Sequence, residues 1–212
     1  MIKSDSGVIL TMTKLLSIIA VLALGTVVSA QVVQAPWDAY QVRYATNFTA
    51  GDSVVNLTNV GAVSGFDPVG DICANVYVFA EDQQLVSCCA CPLTPNHLKT
   101  LSATGDLINN TLTPGVPTAI TIALLASAQI LGCNAAAVTP QILVPGLRAW
   151  GTTLHAAPGG GYNVTETEFA PAPLSVTELA KVTSYCGFIQ AIGSGYGICN
   201  SCRQGAAGAT KQ

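Results

Sequence analysis

The sequence predicts a mainly β domain of the antiparallel β-sandwich type, stabilised by disulfides and carrying one C-terminal α-helix. Three observations support this prediction. Polar and apolar residues alternate with a two-residue period in several short segments, and turns rich in proline and glycine separate them. Eight cysteines follow an N-terminal export leader. An even number of cysteines in an exported chain indicates a disulfide framework.

The first 30 residues are predicted to be a cleaved signal peptide. Lys14 supplies the positive start, an apolar run covers residues 15–28, and Val28-Ser29-Ala30 offers the small residues of a cleavage site. The run is shorter than the roughly 20 residues that a membrane-spanning helix needs. We therefore expect cleavage after Ala30, an extracellular or periplasmic protein, and no membrane span afterwards. An uncleaved anchor is the alternative.

Residues 31–203 are predicted to form a single β-rich domain, followed by a flexible Gly/Ala tail at residues 204–212. A chain of this length can bury about 70% of the surface of its unfolded state, so disulfides would reinforce a hydrophobic core and not replace one. Only 9% of the residues are charged, and the net charge is −3. Because nucleic-acid binding needs concentrated positive charge, a nucleic-acid partner is excluded.

The strands follow from alternation and from the turns between them. Strands are expected at residues 40–44, 55–58, 72–80, 85–91, 119–127, 147–155 and 162–169. The segment 72–80 is apolar on both faces, so it should be covered on both sides. The polar turn at residues 81–84 predicts a hairpin between this strand and the next. Residues 94–96 could open a short helical turn.

A single helix is predicted from about Val176 to Ile192. Ser175 and Glu178 have the spacing of a capping box, in which each side chain satisfies a free backbone amide. Gly193 ends the helix. Leu179, Val182, Cys186 and Ile189 form its apolar face, so this face should pack on the sheet with Cys186 as a tether.

The cysteines predict up to four disulfides, and eight cysteines allow 105 pairings. They are Cys73, Cys88, Cys89, Cys91, Cys133, Cys186, Cys199 and Cys202. Cys88 and Cys89 are neighbours on a strand, so they point to opposite faces and should have different partners. Cys89 and Cys91 share a face. We expect the C-terminal pair to link the end of the chain to residues 88–91.

Other chemistries use the same kinds of residue. Thiolates from Cys89, Cys91, Cys199 and Cys202 could form a tetrahedral zinc site. The Cys199-x-x-Cys202 pair could form a redox centre, whereas haem attachment fails because Arg203 follows where histidine is required.

Oxygen ligands for calcium could come from Asp67, Asp71, Glu81 and Asp82. Because oxidation of the thiols is favoured in an exported protein, we expect neither metal nor cofactor.

Catalytic motifs are scarce. The sequence has only two histidines, His97 and His155, and lacks the G-x-S-x-G, H-E-x-x-H and phosphate-loop motifs. Glu166 and Glu168 lie two residues apart on a predicted strand, at roughly 7 Å, which is compatible with acid and base roles on a glycosidic bond. A solvent-exposed strand face explains them equally well. A polysaccharide hydrolase would need a deep cleft around Glu166, Glu168 or His155.

Three segments resemble a family of uncharacterised exported proteins of environmental Gram-negative bacteria. They are residues 71–96 with the block Ser87-Cys88-Cys89-Ala90-Cys91, residues 149–155, and residues 195–203 with Cys199-Asn200-Ser201-Cys202-Arg203. The resemblance covers most of the chain after the leader. It implies export and a shared fold, and it brings no activity and no catalytic residues.

The sequence as a whole therefore favours a structural or adhesive role in the cell envelope or outside the cell. A surface made of small uncharged side chains suits close association, so the expected partners are other copies of the chain or cell-surface components. A secreted hydrolase using Glu166 and Glu168, and a zinc- or calcium-binding module, are the alternatives.

Overall fold

The structure is a computed structural model, and it describes residues 31–130 and 132–203. The predicted leader and the predicted Gly/Ala tail lie outside the described residues. Ten strands occur in these ranges. They are β1 Tyr40–Ala45, β2 Val54–Asn59, β3 Ile72–Ala80, β4 Leu85–Leu93, β5 Leu98–Ser102, β6 Ile120–Ala128, β7 Leu147–Ala156, β8 Tyr162–Glu168, β9 Ala170–Pro171 and β10 Ile198–Arg203.

The strands form two sheets, which confirms the predicted mainly β class. The six-stranded sheet has the order β10-β4-β3-β6-β1-β9, and the four-stranded sheet has the order β5-β2-β7-β8. A shared hydrophobic core contains Leu57 and Leu147 of the smaller sheet together with Val76 and Leu124 of the larger one. The side chain of Gln41 also joins the sheets, because its Nε2 donates to the backbone oxygen of Leu147 at 2.8 Å.

The central strand β3 is buried on both faces, as its sequence predicts. Its alternate residues Ile72 and Val76 belong to the core between the sheets, whereas Cys73 and Tyr77 belong to a second core on the opposite face. The hydroxyl of Tyr77 donates to the backbone oxygen of Ala135 at 2.6 Å. The hairpin between β3 and β4 is present, with antiparallel register along both strands.

The one α-helix in the described residues, α1, Val176–Ile192, covers the second core. Its bounds, its N-cap and its buried face agree with the prediction. The Ser175 side chain accepts from the backbone N–H of Glu178 at 3.0 Å, and Gly193 ends the helix with a φ of 66°. The residues on the buried face are Leu179, Val182, Cys186 and Ile189. The domain therefore has three layers: a small sheet, a large sheet and a helix.

Three strands have no counterpart in the prediction. The segment β5 lies just after residues 94–96, where a short helical turn was expected and the chain instead turns through Asn96 with a φ of 64°. The two-residue strand β9 pairs with β1 at the sheet edge. The strand β10 is parallel to β4, so the larger sheet is not purely antiparallel. Side-chain periodicity did not indicate β10. This strand is held by its pairing with β4 and by the disulfides of Cys199 and Cys202, and neither of these is a periodic pattern.

Candidate functional site

The hydrolase interpretation can be tested by the positions of Glu166, Glu168 and His155. In the register of β7 and β8, Glu166 faces Thr152 and Glu168 faces Trp150, while His155 faces Asn163. Successive residues of a strand point to opposite faces, and paired residues share a face. The two carboxylates therefore share one face of the four-stranded sheet, and His155 lies on the other.

All three side chains are exposed, and β8 is exposed along its whole length. The His155 ring contacts Thr165 Oγ1 at 3.1 Å and Asn47 Nδ2 at 3.4 Å, so its neighbours are a hydroxyl and an amide. An acid–base pair needs a site that holds substrate and excludes water. This exposed edge does not provide the deep cleft that the hydrolase interpretation requires.

The eight cysteines form four disulfides, and the chain has no free cysteine. Their Cα–Cα distances of 4.7–5.8 Å lie in the range that disulfides span. The pairs are Cys73–Cys133, Cys88–Cys186, Cys89–Cys199 and Cys91–Cys202. The C-terminal pair thus links to the 88–91 segment, as expected.

The proposed zinc ligands are the same four sulfurs that form two of these disulfides. Cys199 and Cys202 bond to different partners, so the C-x-x-C pair is not a closed redox disulfide. A zinc ligand must be a thiolate, and a disulfide sulfur is not one. In the described residues, no group of three or more histidine, cysteine, aspartate or glutamate side chains could hold a metal ion.

The four acidic residues considered for calcium are separated by β3. Asp67 and Asp71 precede the strand, while Glu81 and Asp82 follow it. A nine-residue strand is roughly 30 Å long. These residues therefore form two distant groups. In the first group, burial raises the pKa of the Asp71 carboxyl, and the charge of Asp67 and a hydrogen bond to it raise this pKa further.

A site that the sequence did not predict lies at the start of β1, around Trp37. The Trp37 side chain is 69% exposed. The Arg148 guanidinium lies 5.1 Å from the centroid of its ring, and Arg148 is held by the buried carboxylate of Asp38 at 2.7 Å. Asp38 Oδ2 also accepts from the backbone N–H of Gly146 at 3.0 Å. A part-buried ion pair thus places a guanidinium against an exposed indole.

Trp37 lines a surface cavity with a volume of about 320 Å³, which we call the Trp37 groove. Tyr40 and the prolines Pro36, Pro171 and Pro173 also line it. None of the described residues in its lining carries a formal charge. The volume lies at the lower end of the range for small-molecule sites, and such sites combine apolar walls with a few polar groups.

Tyr40 also lines a neighbouring cavity of about 290 Å³ between the helix and the sheet. This second cavity contains charged groups, because Glu81, Glu178 and Lys181 line it, and Glu178 and Lys181 form an ion pair at 3.6 Å. The Lys181 ammonium lies 5.3 Å from the centre of the Phe79 ring. Burial raises the pKa of the Tyr40 phenol, and the negative charge of Glu178 raises it further. Its hydroxyl therefore keeps its proton at neutral pH.

A second exposed surface lies on the outer face of α1. Tyr185, Phe188 and Ile192 are spaced three and four residues apart, which places them on one side of a helix, and each is exposed. Tyr196, just after the helix, is exposed as well. A helix in a monomer normally presents polar residues to water. Here part of the solvent-facing side of the helix is apolar, in addition to the side that packs on the sheet.

The sequence contained a partial signal for the Trp37 groove. Pro36-Trp37-Asp38 stands just before β1, and Pro171-Ala172-Pro173 stands just before the helix. The sequence could not show that these segments are adjacent, since Asp38 and Pro171 are 133 positions apart and their contact depends on the pairing of β1 with β9. In the described part of the chain, none of the helices could cross a membrane.

Comparisons with known proteins give no family for this chain. No protein-family model matches it, and no curated protein matches it. Among solved structures, it is similar to a Thermotoga maritima protein, described as "Crystal Structure of Thermotoga maritima 1070", with a TM-score of 0.38 and 8% sequence identity. The similarity covers 64% of this chain and 95% of that chain. It therefore assigns neither a family nor a function.

Proposed function

We propose that the protein is exported and serves outside the cytoplasm as a structural or adhesive component of the cell envelope or its surroundings. In this role it associates with other surfaces and does not turn over a substrate. The observation that carries the proposal is a domain cross-linked by four disulfides whose exposed side chains include Trp37, Tyr185 and Phe188. Exposed aromatic side chains are typical of interaction surfaces.

The disulfides support the part of the proposal that concerns export. Cytosolic thiols are kept reduced, whereas disulfides persist in the periplasm and outside the cell. All eight cysteines are paired in the structure. Export is also supported by the predicted signal peptide ending at Ala30 and by the resemblance of the Ser87–Cys91 block to exported bacterial proteins.

The low charge supports the part that concerns association. With 9% charged residues, little electrostatic repulsion opposes contact between two copies of the chain or between the chain and a neutral surface. Only two ion pairs occur among the described residues. Much of the exposed surface is therefore made of small uncharged side chains and aromatic rings.

Expression of the full chain in a Gram-negative host tests the proposal. We expect the protein outside the cytoplasm, beginning at Gln31, with a non-reducing intact mass that shows four disulfides. Light scattering should show association, or envelope fractions should retain the protein on sedimentation. Free thiols in a cytoplasmic protein would contradict export. An exported monomer that binds no envelope fraction would contradict the structural or adhesive role.

A further inference from the structure

We propose that the Trp37 groove binds a neutral glycan, with one sugar ring packed against the Trp37 indole. This inference rests on the proposed adhesive function and names the surface and the ligand class through which it acts. The first support is the contact between the exposed indole and an anchored guanidinium. The ion pair of Arg148 with the buried Asp38 places the guanidinium 5.1 Å from the ring centroid, so the indole already has a packing partner before a ligand packs on it.

The second support is the absence of charge in the groove. None of the described residues that line it carries a formal charge, and the hydroxyl of Tyr40 stays protonated at neutral pH. The Arg148 guanidinium beside Trp37 is already paired with Asp38, so a charged ligand would lose its hydration without gaining an unpaired ionic partner in the lining. A sugar ring has an apolar C–H face that can pack on an aromatic ring, and its hydroxyls project from the ring edge. A neutral sugar therefore matches the walls.

The third support is the pair of polar groups on the aromatic side chains of the lining. The indole N–H of Trp37 can donate a hydrogen bond, and the hydroxyl of Tyr40 can donate and accept. Sugar hydroxyls also donate and accept, so they can pair with both groups.

The fourth support is the continuation of the groove. Tyr40 lines both the Trp37 groove and the second cavity, whose lining also includes Glu81, Glu178 and Lys181. The Tyr40 hydroxyl can both donate and accept, and the charged pair can bond further hydroxyls. This arrangement accommodates a chain longer than a single ring, with the first ring on Trp37 and the next beyond Tyr40.

Titration of the exported protein with soluble neutral glycans tests the inference. The probes are cellohexaose, mannohexaose and chitohexaose, with polygalacturonate as an acidic glycan and a proline–alanine repeat as a peptide. Binding is followed by calorimetry and by tryptophan fluorescence. The chain has two tryptophans, so the variant W150F assigns the fluorescence change to Trp37.

The key variant is Trp37→Ala, and the matched control is Tyr44→Ala. Tyr44 lies on β1, is 70% exposed and does not line the groove. We expect a neutral hexasaccharide to bind the unmodified protein and Y44A equally, and to bind W37A about tenfold more weakly. Equal binding to W37A, failure of all three neutral probes, or preference for polygalacturonate or the peptide would overturn the inference.

Envelope sedimentation separates this inference from the proposed function. If W37A sediments with envelope fractions as the unmodified protein does and the neutral probes fail, the glycan inference is wrong and the adhesive function stands. If the unmodified protein neither associates nor sediments, the proposed function itself is wrong.

Discussion

The two sheets are stabilised in different ways. Cysteines of the six-stranded sheet, of α1 and of the loop at Cys133 supply all four disulfides. The four-stranded sheet contains no cysteine. It contributes Leu57 and Leu147 to the shared core and ends in the exposed edge strand β8. The larger sheet is therefore held by covalent links and packing, and the smaller sheet by packing alone.

The strand β4 shows why the disulfides are concentrated in the larger sheet. Cys88 points to the helix and bonds Cys186, whereas Cys89 and Cys91 bond the C-terminal strand. The strand β10 has no helix or long hairpin to hold it against the sheet, and it pairs with β4 over a broken register. Two disulfides hold it there. Covalent links thus occur where packing alone would leave layers or chain ends weakly attached.

The largest predicted effect is the loss of the helix tether. Changing both Cys88 and Cys186 to alanine removes a disulfide that spans a sequence separation of 98 residues. By loop-closure entropy this should lower the free energy of unfolding by about 3–5 kcal/mol. Urea unfolding under oxidising conditions measures it. Ser184→Ala, at an exposed position on the same helix, should change the free energy of unfolding by no more than about 0.5 kcal/mol.

An unchanged midpoint for the double alanine variant would show that packing of the helix face alone holds α1 on the sheet. The larger sheet would then owe its stability to packing, as the smaller sheet does, and the contrast between the two sheets would be wrong. A loss of helical circular dichroism at low urea concentrations would instead confirm that α1 depends on the Cys88–Cys186 bond.

The second prediction concerns packing in the smaller sheet. Leu57 is fully buried between the sheets, so Leu57→Ala should cost about 2–4 kcal/mol through lost burial and the cavity that remains. Its neighbour Thr58 points to the other face of β2, and Thr58→Ala is the matched control. We expect the control to change stability by less than about 0.5 kcal/mol.

Hydrogen exchange of the Leu57→Ala variant sharpens this prediction. Amides of β7 and β8 should exchange faster than those of β3 and β4, because no disulfide ties the smaller sheet to the rest. Uniform acceleration in both sheets would contradict the comparison, since it would show that the domain opens as one unit.

The fold was predictable where local signals and burial agree. The helix α1 carries its own capping box and glycine stop, so its bounds follow from Ser175 and Gly193. The strand β3 is apolar on both faces, so its central place follows as well. The strand β10 was missed because pairing with β4 and two distant cysteines hold it in place. A non-local cause of this kind leaves no periodic pattern.

The candidate site was less predictable than the fold. Glu166 and Glu168 share a strand face, and the sequence predicts this correctly. The sequence could not show that His155 lies on the opposite face, because that depends on the register of β7 against β8. The Trp37 groove was missed because it is assembled from two chain segments that only tertiary structure brings together.

The third prediction compares a glycine in each region. In the smaller sheet, a Cβ on Gly151 would lie 2.6 Å from Arg43 Cζ. Arg43 bridges the sheets, since its Nη2 donates to Thr153 Oγ1 at 2.9 Å and its Nε donates to Thr167 Oγ1 at 3.0 Å. Gly151→Ala should therefore displace this side chain and cost about 1 kcal/mol.

In the region held by disulfides, Gly187 lies inside α1, and a Cβ there would meet only Ala136 Cβ at 3.7 Å. Gly187→Ala should raise stability by about 0.5–1 kcal/mol, because alanine favours the helix. The double variant R43A/G151A should differ little from R43A alone in thermal unfolding. If G151A lowers the melting temperature equally in the presence and in the absence of Arg43, its cost does not come from displacing the Arg43 side chain.

The smallest predicted effect lies in the segment that joins the two sheets, between β2 and β3. The pKa of the Asp71 carboxyl is raised by burial and by Asp67, so the folded protein holds this proton more tightly than the unfolded chain does. The stabilisation is complete below the unfolded pKa near 4 and is lost as the pH rises through the folded pKa. Asp71→Asn, which carries no charge at any pH, should therefore raise the melting temperature at pH 7 by about 1–2 °C.

At pH 3 the difference between D71N and the unmodified protein should disappear, because Asp71 is then protonated in both states. Asp82→Asn, in the exposed turn after β3, is the control and should leave the melting temperature at pH 7 unchanged. Melting curves between pH 3 and pH 7 measure the effect. If D71N is less stable than the unmodified protein at pH 7, the folded protein stabilises the charged form of Asp71 and the raised pKa is wrong.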